Sequence, residues 1–314
     1  MTDYSIWVLE YGFVDKFPAS NLFAAQPNEG HRRMPYCFAL VRSGDRCLLV
    51  DTGFADDATY QRLTAKYGYT QWAAPTEVLR RVGVSAGDVD TVILTHNHFD
   101  HAGCTAEFRN AHLYIQQREI TEYRAAAAMP RRFEFLTRSC EPGLPGLFDE
   151  RAGAGLATLA DGELEVLPGV VLWPAFGTHT AGSQVVRINT ERNGAWLLAG
   201  DNVYAYENVE GLHGDGILAP IAMTTGSAAD WLRFADRMLT AAGGDTRRII
   251  PFHEGRLWEN FPSREYDDGL HLAEISLAPG HASLLLAPSD GPAGRTGRAG
   301  ASPPRSRRAC PATG

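Results

Sequence analysis

Three histidines and an aspartate stand within six residues, at His96, His98, Asp100 and His101. Imidazole nitrogens and carboxylate oxygens are the donors that hold zinc, iron and manganese. In an extended segment side chains repeat every two residues, so His96 and His98 point the same way. A turn at Phe99 would carry Asp100 and His101 to a second, adjacent position. That spacing suits a pair of neighbouring metal ions. The run also follows an apolar stretch, DTVILT at 90–95, where buried polar groups are costly unless something satisfies them. Metal ions would satisfy them.

Two ions need further donors. His179 lies in FGTHTAG at 176–182, Asp201 follows LLAG, and His253 follows RIIPF. Each is a ligand-type residue just past a short apolar run, so one rim of the fold could gather all three. A lone histidine in such a place is more often an ordinary core or surface residue. The six-residue cluster is what raises the three together. His31, His112, His213, His271 and His281 lack such settings and are read as ordinary. Asp51, in Asp51-Thr52-Gly53, is either a turn residue or the partner of a ligand histidine.

The elements that must position these side chains can be read in outline. Ile6–Leu9 is a first strand, and residues 12–35, rich in Phe, Pro, Asn and Gly, read as a loop. YCFALVR (36–42) and RCLLV (46–50) flank Ser43-Gly44-Asp45 as a hairpin. Helical patterns cover 58–67, 75–82 and 118–128, and strands are expected at 90–95 and 111–115. Residues 129–160 read as an irregular cap with short helices. Strands follow at 162–167, 170–173, 184–189 and 195–199. An amphipathic helix at 230–242 places Trp231, Phe234, Ala235, Met238 and Leu239 at three- and four-residue spacing. A last short strand at 248–251 ends before His253. The mixed order excludes a simple parallel sheet and points to an α+β fold, an αββα sandwich of two mixed β-sheets with helices on the outer faces.

The chain has 314 residues, of which 44% are hydrophobic and 21% charged, as in an ordinary globular protein. Residues 1–278 are read as one domain. Residues 279–314, dominated by Gly, Ala, Pro, Ser and Arg, are expected to be a disordered tail. A net charge of −8 disfavours nucleic acid as a partner. No run approaches the length of a membrane span, and the N-terminus lacks a signal pattern. The five cysteines form no C-x-x-C pair, which suits reduced thiols in the cytoplasm.

At the residues quoted, the chain resembles the metallo-β-lactamase superfamily over about residues 4–265. The family pattern H-x-H-x-D-H stands here as His96-x-His98-x-Asp100-His101, followed by His179, Asp201 and His253. The resemblance implies a first metal on His96, His98 and His179. It implies a second on Asp100, His101 and His253, with Asp201 bridging and Asp51 behind a ligand. Within the family, Gly200-Asp201-Asn202-Val203-Tyr204 is similar to the N-acyl-homoserine lactonase branch, as is the Thr-His-Thr-Ala-Gly-Ser stretch at 178–183. That implies a lactone-opening hydrolase in which a hydroxide between the metals attacks. Tyr204 would donate to the substrate carbonyl and Asp100 would pass a proton to the leaving oxygen. The implied cofactors are two divalent ions, Zn²⁺ first, with Fe²⁺ or Mn²⁺ also suited. The implied partner is a small lactone or ester, with the oligomeric state open and a homodimer among the options. Phe13, Phe17, Phe23, Phe133 and Phe135 could line an acyl pocket or belong to the core. The alternatives are a thioesterase of glyoxalase II type, for which Arg256 and Arg264 would face a charged thiol carrier, and a metal-bound regulatory protein without turnover.

Overall fold

The computed structural model describes residues 3–55, 61, 68–191 and 194–286. Its first sheet holds nine strands. They are β1 (Ser5–Pro18), β2 (His31–Ser43), β3 (Arg46–Val50), β4 (Gln71–Trp72), β5 (Thr91–Ile93), β6 (His112–Gln116), β7 (Ala157–Ala160), and the last two, β13 (Ser263–Glu265) and β14 (His271–Ser276). The spatial order is β13-β14-β1-β2-β3-β5-β6-β7, with β4 beside β1. The second sheet runs β12-β11-β10-β9-β8. Its strands are β8 (Leu164–Leu167), β9 (Val170–Pro174), β10 (Gln184–Thr190), β11 (Gly194–Gly200) and β12 (Ile249–Pro251). Both sheets are mixed: β3-β5-β6-β7 and β11-β12 run parallel and the other pairs antiparallel.

Alternation along the strands separates two cores. Ile6, Val8, Ala39, Val41, Leu48 and Val50 of the first sheet pack on Val170, Leu172, Val186, Ile188 and Leu198 of the second. The opposite faces are covered by helices. Trp7, Leu9, Leu40, Leu49 and Leu113 belong to a core that contains Val78 and Leu79 of α1 (Pro75–Arg81). The other face of the second sheet, with Trp173, Val185 and Leu197, meets Trp231, Phe234, Ala235 and Met238. A sheet covered on both faces needs apolar residues at every position, and RCLLV and IIP read that way. The architecture is the expected α+β sandwich with helices outside.

Several boundaries differ from the sequence reading. The expected loop 12–35 is largely strand, because β1 continues to Pro18 and β2 begins at His31. Gly12 is not a breaker here. It lets the backbone of β4 approach, and a Cβ would meet the Gln71 carbonyl oxygen at 3.0 Å. Within the expected cap, α4 (Leu144–Gly153) is present but β7 is a true strand on β6. The pair β13 and β14 was not anticipated. Residues 279–286, expected as the start of the tail, are folded: His281 Nδ1 lies 2.7 Å from Ser5 Oγ, and Leu284 and Leu285 pack on the core. The remainder, 287–314, and nearly all of the expected helix at 58–67 lie outside the described residues. Among the described residues no helix is long and apolar enough to cross a membrane. Among the described residues, Cys37, Cys47, Cys104 and Cys140 are buried and form no disulfide.

Candidate metal centre

Strand direction explains why the ligand-type residues meet. In the first sheet β3 and β5 run parallel, so Asp51 and the His96–His101 segment leave the same end. In the second, β9, β11 and β12 share a direction, because β9 and β11 both lie antiparallel to β10 and β12 parallel to β11. Their C-terminal ends deliver His179, Asp201 and His253. The short helix α2 (Phe99–Ala102) supplies the turn after His98 that swings Asp100 and His101 inward.

All seven expected ligand side chains converge. Donor atoms of His96, His98, His179 and Asp201 lie within 4.8 Å of one another, and so do those of Asp100, His101 and His253. Asp201 touches both sets. Its Oδ2 is 3.8 Å from His96 Nε2 and 3.3 Å from His179 Nε2, while Oδ1 is 2.9 Å from His101 Nε2 and 3.0 Å from His253 Nε2. Asp100 Oδ2 sits 3.7 Å from His101 Nε2 and 3.6 Å from His253 Nε2.

The outer nitrogens of the rings fix which inner nitrogen carries a lone pair. His253 Nδ1 donates to the Pro35 carbonyl oxygen at 2.7 Å, and His101 Nδ1 donates to Asp51 Oδ2 at 2.7 Å. Thr95 Oγ1 gives its proton to Asp51 Oδ2 at 2.8 Å, so it accepts from His96 Nδ1 at 3.0 Å. In neutral rings, Nε2 of His96, His101 and His253 is then an acceptor aimed at the centre. These three atoms and Asp201 Oδ1 are buried with no hydrogen bond of acceptable geometry. Acceptors facing acceptors at about 3 Å call for positive charge between them, which either a ring proton or a metal ion supplies. The donor set therefore fits two divalent metal ions.

The electrostatics state the same demand. Burial alone would lower the His101 pKa, but the Asp201, Asp100 and Asp51 carboxylates raise it well above the ordinary histidine value. Burial would raise the Asp201 carboxyl, but His101, His253 and His179 hold it well below the carboxylate range. Burial lowers His98 to about 4 and His179 to about 3. Burial also lowers His96 well below its ordinary value, and the neighbouring His101 and His98 add to this.

Asp51 is the hydrogen-bond partner of His101, one of the expected ligands. It is buried, its φ is +64°, and its Oδ1 accepts the Thr95 amide at 2.7 Å. Aspartate tolerates this left-handed conformation better than most residues. The carboxylate thereby spans the ends of two parallel strands and holds His101.

Sequence reasoning missed Glu119. It lies in the first turn of α3 (Gln117–Ala127) and is buried. Its Oε1 accepts the Asn97 amide at 3.0 Å, and Oε2 accepts Thr180 Oγ1 at 2.8 Å and the Gly182 amide at 2.7 Å. A Cβ on Gly182 would collide with the Glu119 backbone nitrogen. Gly182→Ala should therefore destabilise the fold by about 1–3 kcal/mol, the usual cost of overpacking. A urea midpoint unchanged from the parent would refute that close approach.

A cavity of about 380 Å³ opens on the centre. His98, Asp100, Asp201 and His253 form its polar floor, and Phe17, Met34, Phe135, Ile221 and Met223 its apolar side. Tyr204 also lines it. Of the five phenylalanines weighed from sequence, Phe17 and Phe135 line this cavity, whereas Phe13 and Phe23 are core and Phe133 is surface. The Tyr204 hydroxyl is 3.4 Å from His179 Nδ1 and 3.5 Å from the Met223 carbonyl oxygen. Burial, reinforced by Asp201, raises its pKa well above that of a free phenol, so it is a donor.

Known proteins share parts of this sequence and its fold. The curated N-acyl homoserine lactonase of Bacillus thuringiensis is 31% identical over 184 residues, 56% of this chain and 66% of the relative. The N-acyl homoserine lactonase AiiB of Agrobacterium fabrum is 30% identical over 188 residues, 56% of this chain and 65% of the relative. The chain thus spans just under two thirds of the length of these relatives. A solved N-acyl homoserine lactone hydrolase, with the product N-hexanoyl-L-homoserine at its catalytic metal centre, superposes with a TM-score of 0.60. It has 24% identity and covers 82% of this chain and 96% of its own. AidC, a dizinc quorum-quenching lactonase, superposes with a TM-score of 0.60 and 16% identity over 88% of this chain and 96% of its own. At these identities the superpositions speak to the fold. The sequence model of the metallo-beta-lactamase superfamily matches residues 33–253, and the chain belongs to that family of hydrolases.

Proposed function

We propose that the chain is a dinuclear metal-dependent hydrolase that opens the ring of an N-acyl-homoserine lactone or a related lactone. The observation that carries this reading is the single cavity in which Asp201, His253, Asp100 and Tyr204 face an apolar wall. A ring carbonyl can sit over the polar floor while an acyl chain lies against Phe17, Met34 and Met223. The relatives add support, since proteins named N-acyl homoserine lactonases are 30–31% identical to this chain over 56% of its length.

In this reading His96, His98 and His179 hold one ion, Asp100, His101 and His253 the other, and Asp201 faces both. Bound there, divalent ions supply an activated water near neutral pH and polarise the lactone carbonyl. Zn²⁺, Fe²⁺ and Mn²⁺ all suit this nitrogen and carboxylate set. Tyr204 donates its hydroxyl proton in a hydrogen bond to the carbonyl oxygen as negative charge develops there. Asp100, at the floor of the cavity, carries a proton to the ring oxygen as the C–O bond breaks. The product is the ring-opened hydroxy carboxylate, and the proton of its new carboxyl group is released to solvent.

The thioesterase alternative needs basic residues free to meet a charged thiol carrier. Arg256 is committed elsewhere, 3.3 Å from Glu207 and 3.1 Å from Glu210. Arg264 lies over the Tyr266 ring, at 4.9 Å. Neither lines the cavity.

Purified protein loaded with Zn²⁺ should release acid from N-hexanoyl-homoserine lactone, and a strong chelator should abolish the release. Turnover that survives complete metal removal would reject the mechanism. A protein holding two ions that turns over S-lactoylglutathione but no lactone would favour the thioesterase.

A further inference from the structure

The two metal-ligand groups are held in different ways. His101 is fixed by Asp51, and His253 by the Pro35 carbonyl. The first group draws on two loops from different sheets, His96–His98 after β5 and His179 between β9 and β10. Among the described residues, no side-chain carboxylate lies behind the ring of His98 or His179, whose outer contacts are to each other and to Tyr204. Glu119 is the group that bridges these two loops. One of its oxygens holds the backbone just before His98, at the Asn97 amide, and the other holds both sides of Ala181, at Thr180 and Gly182.

Glu119 has the features of a residue kept for position. It is 4% exposed, and among the described residues no Lys, Arg or His forms an ion pair with it. A buried carboxylate without a cation is costly unless hydrogen bonds satisfy it. Here three donors do so, and all three belong to the ligand loops. The adjoining Gly182 has no side chain, which lets the His179 loop lie against the first turn of α3.

We infer that Glu119 is a positioning residue that sets the distance between the His96–His98 loop and the His179 loop, and so controls the affinity of one metal ion and not the other. This rests on the two-ion reading above. Glutamine keeps one acceptor oxygen but turns its amide N–H group toward a donor, releasing either Asn97 or the Thr180–Gly182 pair. Aspartate is one methylene too short to reach both.

The test is metal affinity, measured as ions per chain against graded chelator, with urea midpoints as a check on folding. In Glu119→Gln one of the two ions should bind at least about 10-fold more weakly, the usual effect of losing such an outer partner, while the other stays within about threefold. Glu119→Asp should not restore it. Thr180→Val, a milder change that removes one of the three bonds, should weaken the same ion and add little to Glu119→Gln. In a His98→Ala background, which leaves the Asp100, His101 and His253 group, Glu119→Gln should shift the remaining affinity by less than about twofold. Equal weakening of both ions, or of neither, would overturn the inference. Failure of the two-ion reading would show separately, as an unmodified chain that binds no ion.

Discussion

Asp201→Asn should release at least one of the two ions and lower kcat/KM by about 10³-fold. The reason is the division of labour between its two oxygens. Oδ2 faces His179 and His96, and Oδ1 faces His101 and His253. Asparagine keeps one oxygen, so one group loses its shared acceptor and meets an N–H donor instead. The site also loses a negative charge that its histidines strongly favour. A metal ion contributes several kcal/mol to stabilising charge in the transition state. Losing about 4 kcal/mol of that is about a thousandfold in rate. Ions per chain after dialysis and steady-state kinetics on the same preparation decide the matter. Two ions retained with activity within about threefold of the parent would remove Asp201 from the bridging position.

The parts of this centre that could be read from sequence share one property: their meaning is local. His96, His98, Asp100 and His101 announce themselves by residue type and spacing within one turn of chain. His179, Asp201 and His253 could be added because each follows an apolar run, and strand ends are where an α+β sandwich places its loops. The fold was readable for the same reason, since runs such as RCLLV and RIIP are short, apolar and bounded by turn residues.

What escaped the reading depends on contacts distant in sequence. Glu119 looks like an acidic residue in the first turn of a helix, where the helix dipole alone would account for it. Only the fold brings Asn97, Thr180 and Gly182 to its carboxylate. Asp51 was ambiguous for the same reason, because its partner His101 lies 50 residues away. The extended β1 and β2 were misread because Gly12, Pro18 and Pro35 suggest breaks, and long-range pairing overrides local preference.

Tyr204→Phe should lower kcat by about 10²-fold, close to 3 kcal/mol of barrier, while KM and metal content hardly change. Phenylalanine fills the same buried volume; the hydroxyl's contacts to His179 Nδ1 and the Met223 carbonyl are long, 3.4 and 3.5 Å, and its remaining partner is Asp201. Folding stability should therefore be nearly preserved. Those long contacts are also the reason to expect a catalytic effect. A hydroxyl that is desolvated yet weakly held can turn to a stronger acceptor, and the oxygen of a carbonyl under attack becomes one. Its raised pKa keeps the proton in place across the working range. The split between the constants is what discriminates. A fall in kcat with KM constant marks an interaction made in the transition state. A rise in KM with kcat unchanged would mean that Tyr204 binds the substrate equally before and during reaction, and that stabilisation of the carbonyl oxygen comes from elsewhere in the site. Rates within about twofold of the parent in both constants would take Tyr204 out of the mechanism and leave it as a wall of the cavity.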